Sequence, residues 1–250
     1  MTVPDLNGTT AIVTGASRGL GGEAAAVLCA AGARVVGVAR DKAELEQLRE
    51  RLGANFVPVA EDATDPAVAE RLLAEYRPRV LVLNAGAVPL GRPVQEYDWE
   101  SFSRHWQVDV QHAFHWTRQA LTLPLDPGSI VASVSSGAAL RGSPVSGGYA
   151  GAKATIRFLT AYAAEESARG GLGISFRSIL PPLTPGSGVG NSGVHAYAER
   201  SGVDEEEFVR RLGPVLSPAA IGAAIATLAT DPALEAGAYQ PTAEGLKKLD

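Results

Sequence analysis

Short apolar runs alternate along this chain with stretches of helical periodicity, and few architectures accommodate that alternation. Arg34-Val35-Val36-Gly37-Val38-Ala39 and Val80-Leu81-Val82-Leu83 are nearly continuous in apolar residues, as parallel strands buried on both faces should be. The pattern predicts strands near 10–14, 34–39, 55–60, 79–84, 128–134, 173–180 and 237–240. Helices are predicted near 19–31, 41–52, 65–76, 98–122, 149–169 and 216–230. The class is α/β, a doubly wound parallel sheet of about seven strands with helices on both faces. With 250 residues, 46% of them hydrophobic, one large core is expected, and hence a single domain over 1–250.

Two motifs carry chemistry. Thr14-Gly15-Ala16-Ser17-Arg18-Gly19-Leu20-Gly21 follows the first apolar run and opens an Ala-rich helix, so it sits where a strand turns into a helix. Glycines allow a tight turn and a close approach to a ligand, while the unpaired N–H groups and positive dipole end of the helix favour an anion; the motif reads as a Rossmann-type pyrophosphate site. Tyr149 and Lys153 stand four residues apart on one predicted helix, so their side chains share a face. A phenol with a pKa of about 10 is a poor acid or base at neutral pH, and a nearby ammonium draws that value down. Tyr-x-x-x-Lys alone also fits a solvated helix face.

Two further elements complete the pattern: Asn84-Ala85-Gly86 after the fourth strand, and Ser136 in Ser133-Val134-Ser135-Ser136-Gly137, thirteen residues before Tyr149. In this order and spacing, from about Leu6 to Tyr239-Gln240, the chain resembles the short-chain dehydrogenase/reductase family. The resemblance implies a nicotinamide-dependent oxidoreductase that interconverts a ketone or aldehyde and an alcohol. It implies that Ser136 polarises the substrate carbonyl, that Tyr149 moves the proton, and that Lys153 lowers the tyrosine pKa while binding the nicotinamide ribose. Ser135, one position away in an extended segment, should point to the opposite side. Gly15, Ser17, Arg18, Gly19, Leu20, Gly21, Arg40, Asp62, Asn84, Gly86, Tyr149, Lys153, Pro181 and Thr184 are the expected cofactor contacts.

Position 39, at the end of the second strand, is Ala rather than an acidic residue, and Arg40 follows it, with Arg18 in the glycine-rich turn. A carboxylate at the strand end would accept from a ribose 2′-hydroxyl, whereas arginines pair with a 2′-phosphate, so NADP(H) is expected over NAD(H). Both arginines also fit solvated surface charges, with Asp41 available to Arg40. Asp62 matches the family's adenine contact, and it also fits a helix cap, although Thr64 or Asp65 is better placed for capping.

Two departures from the family pattern and one irregular stretch stand out. Asp109, in Gln107-Val108-Asp109-Val110, occupies the place of an asparagine that fixes a proton-relay water; an ionised carboxylate there would keep Lys153 charged and shift the shared titration. Pro181-Pro182 replaces Pro-Gly, which stiffens the loop and removes an N–H, so Pro181 and Thr184 are the least secure cofactor contacts. The stretch from 182 to 212 begins too rich in Gly and Pro for a helix and becomes helical near Ala198-Glu199-Arg200 and Asp204-Glu205-Glu206-Glu207. The resemblance implies a mobile substrate lid there; a disordered insertion is the plainer alternative.

A net charge of -5 argues against nucleic-acid or anionic-membrane surfaces, and the sequence shows neither a leader nor a membrane span, so a cytoplasmic protein is expected. The one cysteine, Cys29, falls in the apolar pattern of the first helix and reads as core. His105, His112 and His115 cluster in sequence but lack cysteine or paired acidic ligands, so no metal is expected. The resemblance implies a homodimer or homotetramer through this helix and the Tyr149 helix. Val88, Pro89, Ala138, Leu140 and Ser143 predict a pocket for a small neutral, moderately hydrophobic carbonyl or alcohol. The alternative is a low-turnover nucleotide-binding sensor or scaffold on the same fold.

Overall fold

The computed structural model describes residues 3–249; Met1, Thr2 and Asp250, and with them the start of the N-terminal reading, lie outside the described residues. The first half alternates β1 (Thr10–Thr14), α1 (Gly19–Ala30), β2 (Arg34–Ala39), α2 (Lys42–Leu52), β3 (Phe56–Ala60), α3 (Pro66–Tyr76) and β4 (Val80–Leu83). Then come α4 (Trp99–His105), a π-helical turn (Trp106–Val110), α5 (Gln111–Thr122), β5 (Ile130–Val134), α6 (Ala138–Arg141), α7 (Tyr149–Arg169) and β6 (Ser175–Ile179). The chain closes with α8 (Gly188–Ser201), α9 (Glu205–Leu212), α10 (Pro218–Thr230), β7 (Gly237–Thr242) and β8 (Gly245–Leu249).

The strands form one sheet in the order β3-β2-β1-β4-β5-β6-β7-β8, parallel except for β8. The order reverses at β1, which pairs with β2 on one side and β4 on the other; Ala11 lies opposite both Val35 and Val80. Such a reversal leaves a crevice beyond the strand ends, where ligands bind in open α/β sheets. On one face of the sheet α1 and α10 pack Leu28, Ile221 and Ile225 against Val13 and Val35. On the other, Leu72, Trp116 and Phe176 gather around Ile12 and Leu81, and Trp116 Nε1 donates to the Ala63 carbonyl at 2.8 Å. Burying each such side chain contributes about 1.5–3 kcal/mol, which fixes the sheet as a rigid base.

Three sequence expectations need correction. An eighth strand, β8, pairs antiparallel with β7; its Gly245-Leu246-Lys247-Lys248-Leu249 is polar because it is an edge strand, where lysines block further pairing. The helix expected over 98–122 is α4 and α5 joined through the π-helical turn. The Gly-rich start of 182–212 is helical from Gly188, because Ser187 Oγ accepts the Gly190 N–H at 3.0 Å and caps it. A Cβ at Gly190 would stand 1.7 Å from the Thr184 carbonyl oxygen, so the glycine is there for close approach rather than to break the helix. Among the described residues, no helix is long and apolar enough to cross a membrane.

Candidate active site

A cleft of about 1060 Å³ opens at the carboxyl end of the sheet, over the β1/β4 reversal. Its walls include Gly15, Ser17, Arg18, Gly19, Leu20, Arg40, Asp62, Asn84, Gly86, Asp109, Ser136, Tyr149, Lys153, Pro181 and Thr184. Of the expected site residues only Gly21 is absent from that wall. It is buried under the turn, and a Cβ there would meet the Gly15 carbonyl oxygen at 2.3 Å, so its part is to let α1 close on β1.

The glycine-rich turn is held from β4. Asn84 Nδ2 donates to the Thr14 and Gly15 carbonyls at 3.2 and 3.1 Å, and the backbone N–H groups of Asn84 and Ala85 donate to Thr14 Oγ1. His112 Nε2 lies 2.9 Å from the same hydroxyl, fully buried, and burial pushes its pKa down to about 3. That neutral ring shares a hydrogen bond with the Thr14 hydroxyl, which also lies 3.3 Å from the Val82 carbonyl, so His112 is structural. Side chains cap α2, α3, α4, α8, α9 and α10, but none caps α1, α5, α6 or α7. The first N–H groups of α1 face the cleft, which fits the anionic pyrophosphate of a dinucleotide.

On the β3 side of the cleft, Asp62 accepts from the N–H and hydroxyl of Thr64, both at 2.9 Å, and these bonds hold its carboxyl below the usual range. The cap of α3 is Asp65, leaving Asp62 to the cleft wall. Asp41 caps α2 rather than pairing with Arg40. Arg18 is not a free surface charge: it pairs with Glu44, a residue the sequence reading passed over.

At the other end, α7 brings Tyr149 and Lys153 to Ser136. Lys153 Nζ donates to the Val134 carbonyl at 3.1 Å and lies 5.6 Å from the Tyr149 ring centroid. Ser135 is turned away, as its position required, and donates to the Lys153 carbonyl at 2.7 Å. Asp109, wholly buried, places Oδ2 3.2 Å from Lys153 Nζ while Oδ1 accepts the Ala87 N–H at 2.8 Å. His105 Nδ1 stands 3.4 Å from the same Oδ1, and its ring meets the edge of Tyr149.

Burial raises the Asp109 pKa, but Lys153 and the hydrogen bonds from His105 and Ala87 outweigh it, leaving it below the usual range. Burial lowers Lys153, but Asp109 outweighs it and the ammonium ends above its usual value. For Tyr149, burial raises the pKa; Lys153, as expected of a nearby ammonium, and a hydrogen bond from Ser136 draw it back, Asp109 raises it slightly, and the balance leaves it above its usual value. The carboxylate at 109 opposes the lysine, but it is the smallest of these four influences.

The end of the cleft beside Tyr149 is bordered by α8. Tyr197 donates to Ser143 Oγ at 2.7 Å and stacks on Phe208 of α9, and Ser192 Oγ donates to the Pro89 carbonyl at 2.8 Å. Val88, Pro89, Ala138, Leu140 and Ser143 line this end as expected, together with Tyr197 and the exposed Arg141. Thr184, on the cleft wall, donates its hydroxyl to the Pro182 carbonyl at 2.9 Å. The Pro181 carbonyl accepts the Gly137 N–H at 2.8 Å.

A doubly wound sheet, an uncapped anion-binding helix start and a Ser-Tyr-Lys cluster in one cleft define the class, an α/β oxidoreductase built for a nicotinamide coenzyme. The chain belongs to the short chain dehydrogenase family, whose model matches residues 9–193. Among curated proteins it is 34% identical over 170 residues to D-erythrulose reductase of Gallus gallus, covering 65% of this chain and 68% of that one. It is 32% identical over 159 residues to carbonyl reductase [NADPH] 2 of Sus scrofa, covering 62% and 64%. The matches thus span about two thirds of those relatives' lengths. Among solved structures it resembles 3-ketoacyl-(acyl-carrier-protein) reductase of Brucella melitensis complexed with NADH, with TM-score 0.77, 24% identity and coverage of 94% and 97%; this likeness speaks to the fold.

Proposed function

We propose that this protein is an NADP(H)-dependent reductase that interconverts a small neutral, moderately hydrophobic ketone or aldehyde with its alcohol. The observation that carries the reading is the convergence of Ser136, Tyr149 and Lys153 at one end of a cleft whose other end holds Arg18 and Arg40. The name of the NADPH-dependent relative and the absence of an acidic side chain at position 39 support the choice of coenzyme.

A bound nicotinamide supplies the hydride. Ser136 and Tyr149 present hydroxyl donors to the carbonyl oxygen as negative charge grows on it, and Tyr149 Oη delivers the proton. Lys153 stays charged and stabilises the phenolate that remains; Asp109 keeps it so. Gly15, Ser17, Gly19 and Leu20 would hold the pyrophosphate, and Asp62, Asn84 and Gly86 would border the nucleotide. We assign α8 and α9, within 182–212, to a lid over the substrate, and 1–250 to one catalytic domain.

We also propose a cytoplasmic homo-oligomer that assembles through α4, α5 and α7. Trp99 is 77% exposed, and Phe114, Phe158 and Tyr162 on the same helices are exposed as well, which suits an interface.

The test is titration with NADPH and NADH followed by a carbonyl panel. Tight NADPH binding, with NADPH consumed only when a carbonyl is added, is the expected result. Binding without turnover on any carbonyl would favour a sensor or scaffold, and tighter NADH binding would overturn the coenzyme assignment.

A further inference from the structure

Where the cleft meets β2, the chain presents an anion of its own. Glu44, in the first turn of α2, points back onto the glycine-rich turn: Ser17 Oγ donates to Glu44 Oε2 at 2.8 Å, and Arg18 Nη1 pairs with Oε1 at 3.3 Å. The backbone that carries this carboxylate is fixed, because Asp41 Oδ1 accepts the Glu44 N–H at 3.0 Å as the cap of α2. Glu44 and Arg40 both border the cleft.

Arg18 and Arg40 are the cations proposed to meet a 2′-phosphate at this end. Glu44 already engages Arg18, and Ser17 beside it. An incoming phosphate dianion must displace the carboxylate or sit beside it, and like charges in one site disfavour each other. A ribose 2′-hydroxyl meets no such obstacle, since it donates to a carboxylate as readily as to any acceptor. The contact is also exchangeable. The side chains of Arg18 and Glu44 are 77% and 32% exposed, and an ion pair so solvated is weak enough to be broken by a better partner.

We infer that Glu44 is a specificity-determining residue, a built-in competitor for the 2′-phosphate that narrows the preference for NADP(H) and admits NAD(H) as a second coenzyme. The inference rests on the cleft being a nicotinamide-dinucleotide site, as proposed above. Arg18 and Arg40 alone would make that preference steep; the carboxylate between the turn and α2 moderates it. Glu44 is not needed for the fold of the turn, which is held from β4 by Asn84.

The test is direct binding of NADPH and of NADH, followed by nicotinamide fluorescence, to the unaltered protein, Glu44→Gln and Glu44→Ala, with melting curves for all three. Gln keeps the length and the Ser17 acceptor while removing the charge. The expected result is NADPH binding about tenfold tighter in both variants, with NADH unchanged or weakened by about threefold, at unchanged melting temperature. An NADPH-to-NADH affinity ratio within about twofold of the unaltered protein in both variants overturns the role of Glu44 while leaving the coenzyme site itself intact. Binding of neither coenzyme to any of the three overturns the proposed function, and this inference with it.

Discussion

Lys153 Nζ lies 3.2 Å from Asp109 Oδ2 with both side chains buried, so a full ion pair stands beside the Tyr149 phenol. Asp109 has its folded pKa lowered, so its stabilising contribution is present above the unfolded carboxylate value and is lost as pH falls through the folded one. Lys153 has its folded pKa raised, so its contribution is present below the unfolded lysine value and is lost as pH rises through the folded one. The pair is at full strength between about pH 4 and pH 10.

Removing the charge at 109 should therefore move the reaction's pH profile. Alcohol oxidation needs the Tyr149 phenolate, and Asp109 pushes the phenol pKa up. Asp109→Asn keeps an acceptor for the Ala87 N–H but not the charge, and the rising limb of the oxidation profile should shift about one pH unit lower. Superimposable profiles would show that Asp109 only supports the fold.

His112 should make the protein acid-sensitive. Its folded pKa is depressed to about 3, so the unfolded chain takes up a proton that the folded one refuses once pH drops below about 6.5. Between those values stability should fall by about 1.4 kcal/mol per pH unit for this one group. Thr14 Oγ1 already accepts two N–H groups, so a protonated ring has no acceptor there. Chemical denaturation of His112→Gln across this range should show a shallower dependence; an identical slope would assign the effect elsewhere.

How much of this was legible in the sequence depends on what each residue faces. Val80-Leu81-Val82-Leu83 announced its strand because both faces of the sheet are covered, whereas β8, with Lys247 and Lys248 exposed, reads like a loop. Tyr149, Lys153 and Ser136 were found because a motif's spacing survives in a linear chain. The start of α8 was missed because Gly188, Gly190 and Gly193 lower helix propensity, and the close contact that makes Gly190 useful exists only in three dimensions. Glu44 was missed for the same reason: it acts on Ser17 and Arg18, which nothing in its own neighbourhood of sequence identifies as partners.

Gly21 should tolerate no side chain. Its added Cβ would lie 2.3 Å from the Gly15 carbonyl oxygen and 2.4 Å from Asn84 Nδ2, neither of which can yield without moving the turn. Gly21→Ala should destabilise the fold by about 2–4 kcal/mol and weaken coenzyme binding, read by denaturant melts and titration. An unperturbed melt would mean that α1 can shift along the sheet.

The Tyr197–Ser143 hydrogen bond ties α8 to the loop after α6 across the substrate end. Tyr197→Phe removes one such bond, about 1 kcal/mol, and should raise KM for the carbonyl about fivefold with a smaller change in kcat. An unchanged KM would show that α8 stays closed without that bond.

The central claim is that Tyr149 delivers the proton to a carbonyl in this cleft, and Tyr149→Phe assayed for NADPH-dependent carbonyl reduction tests it most directly. Phe keeps the ring that packs against His105 and removes only the hydroxyl. NADPH should bind within about twofold of the unaltered protein while turnover falls about a hundredfold or more. Turnover retained in the phenylalanine variant would contradict it.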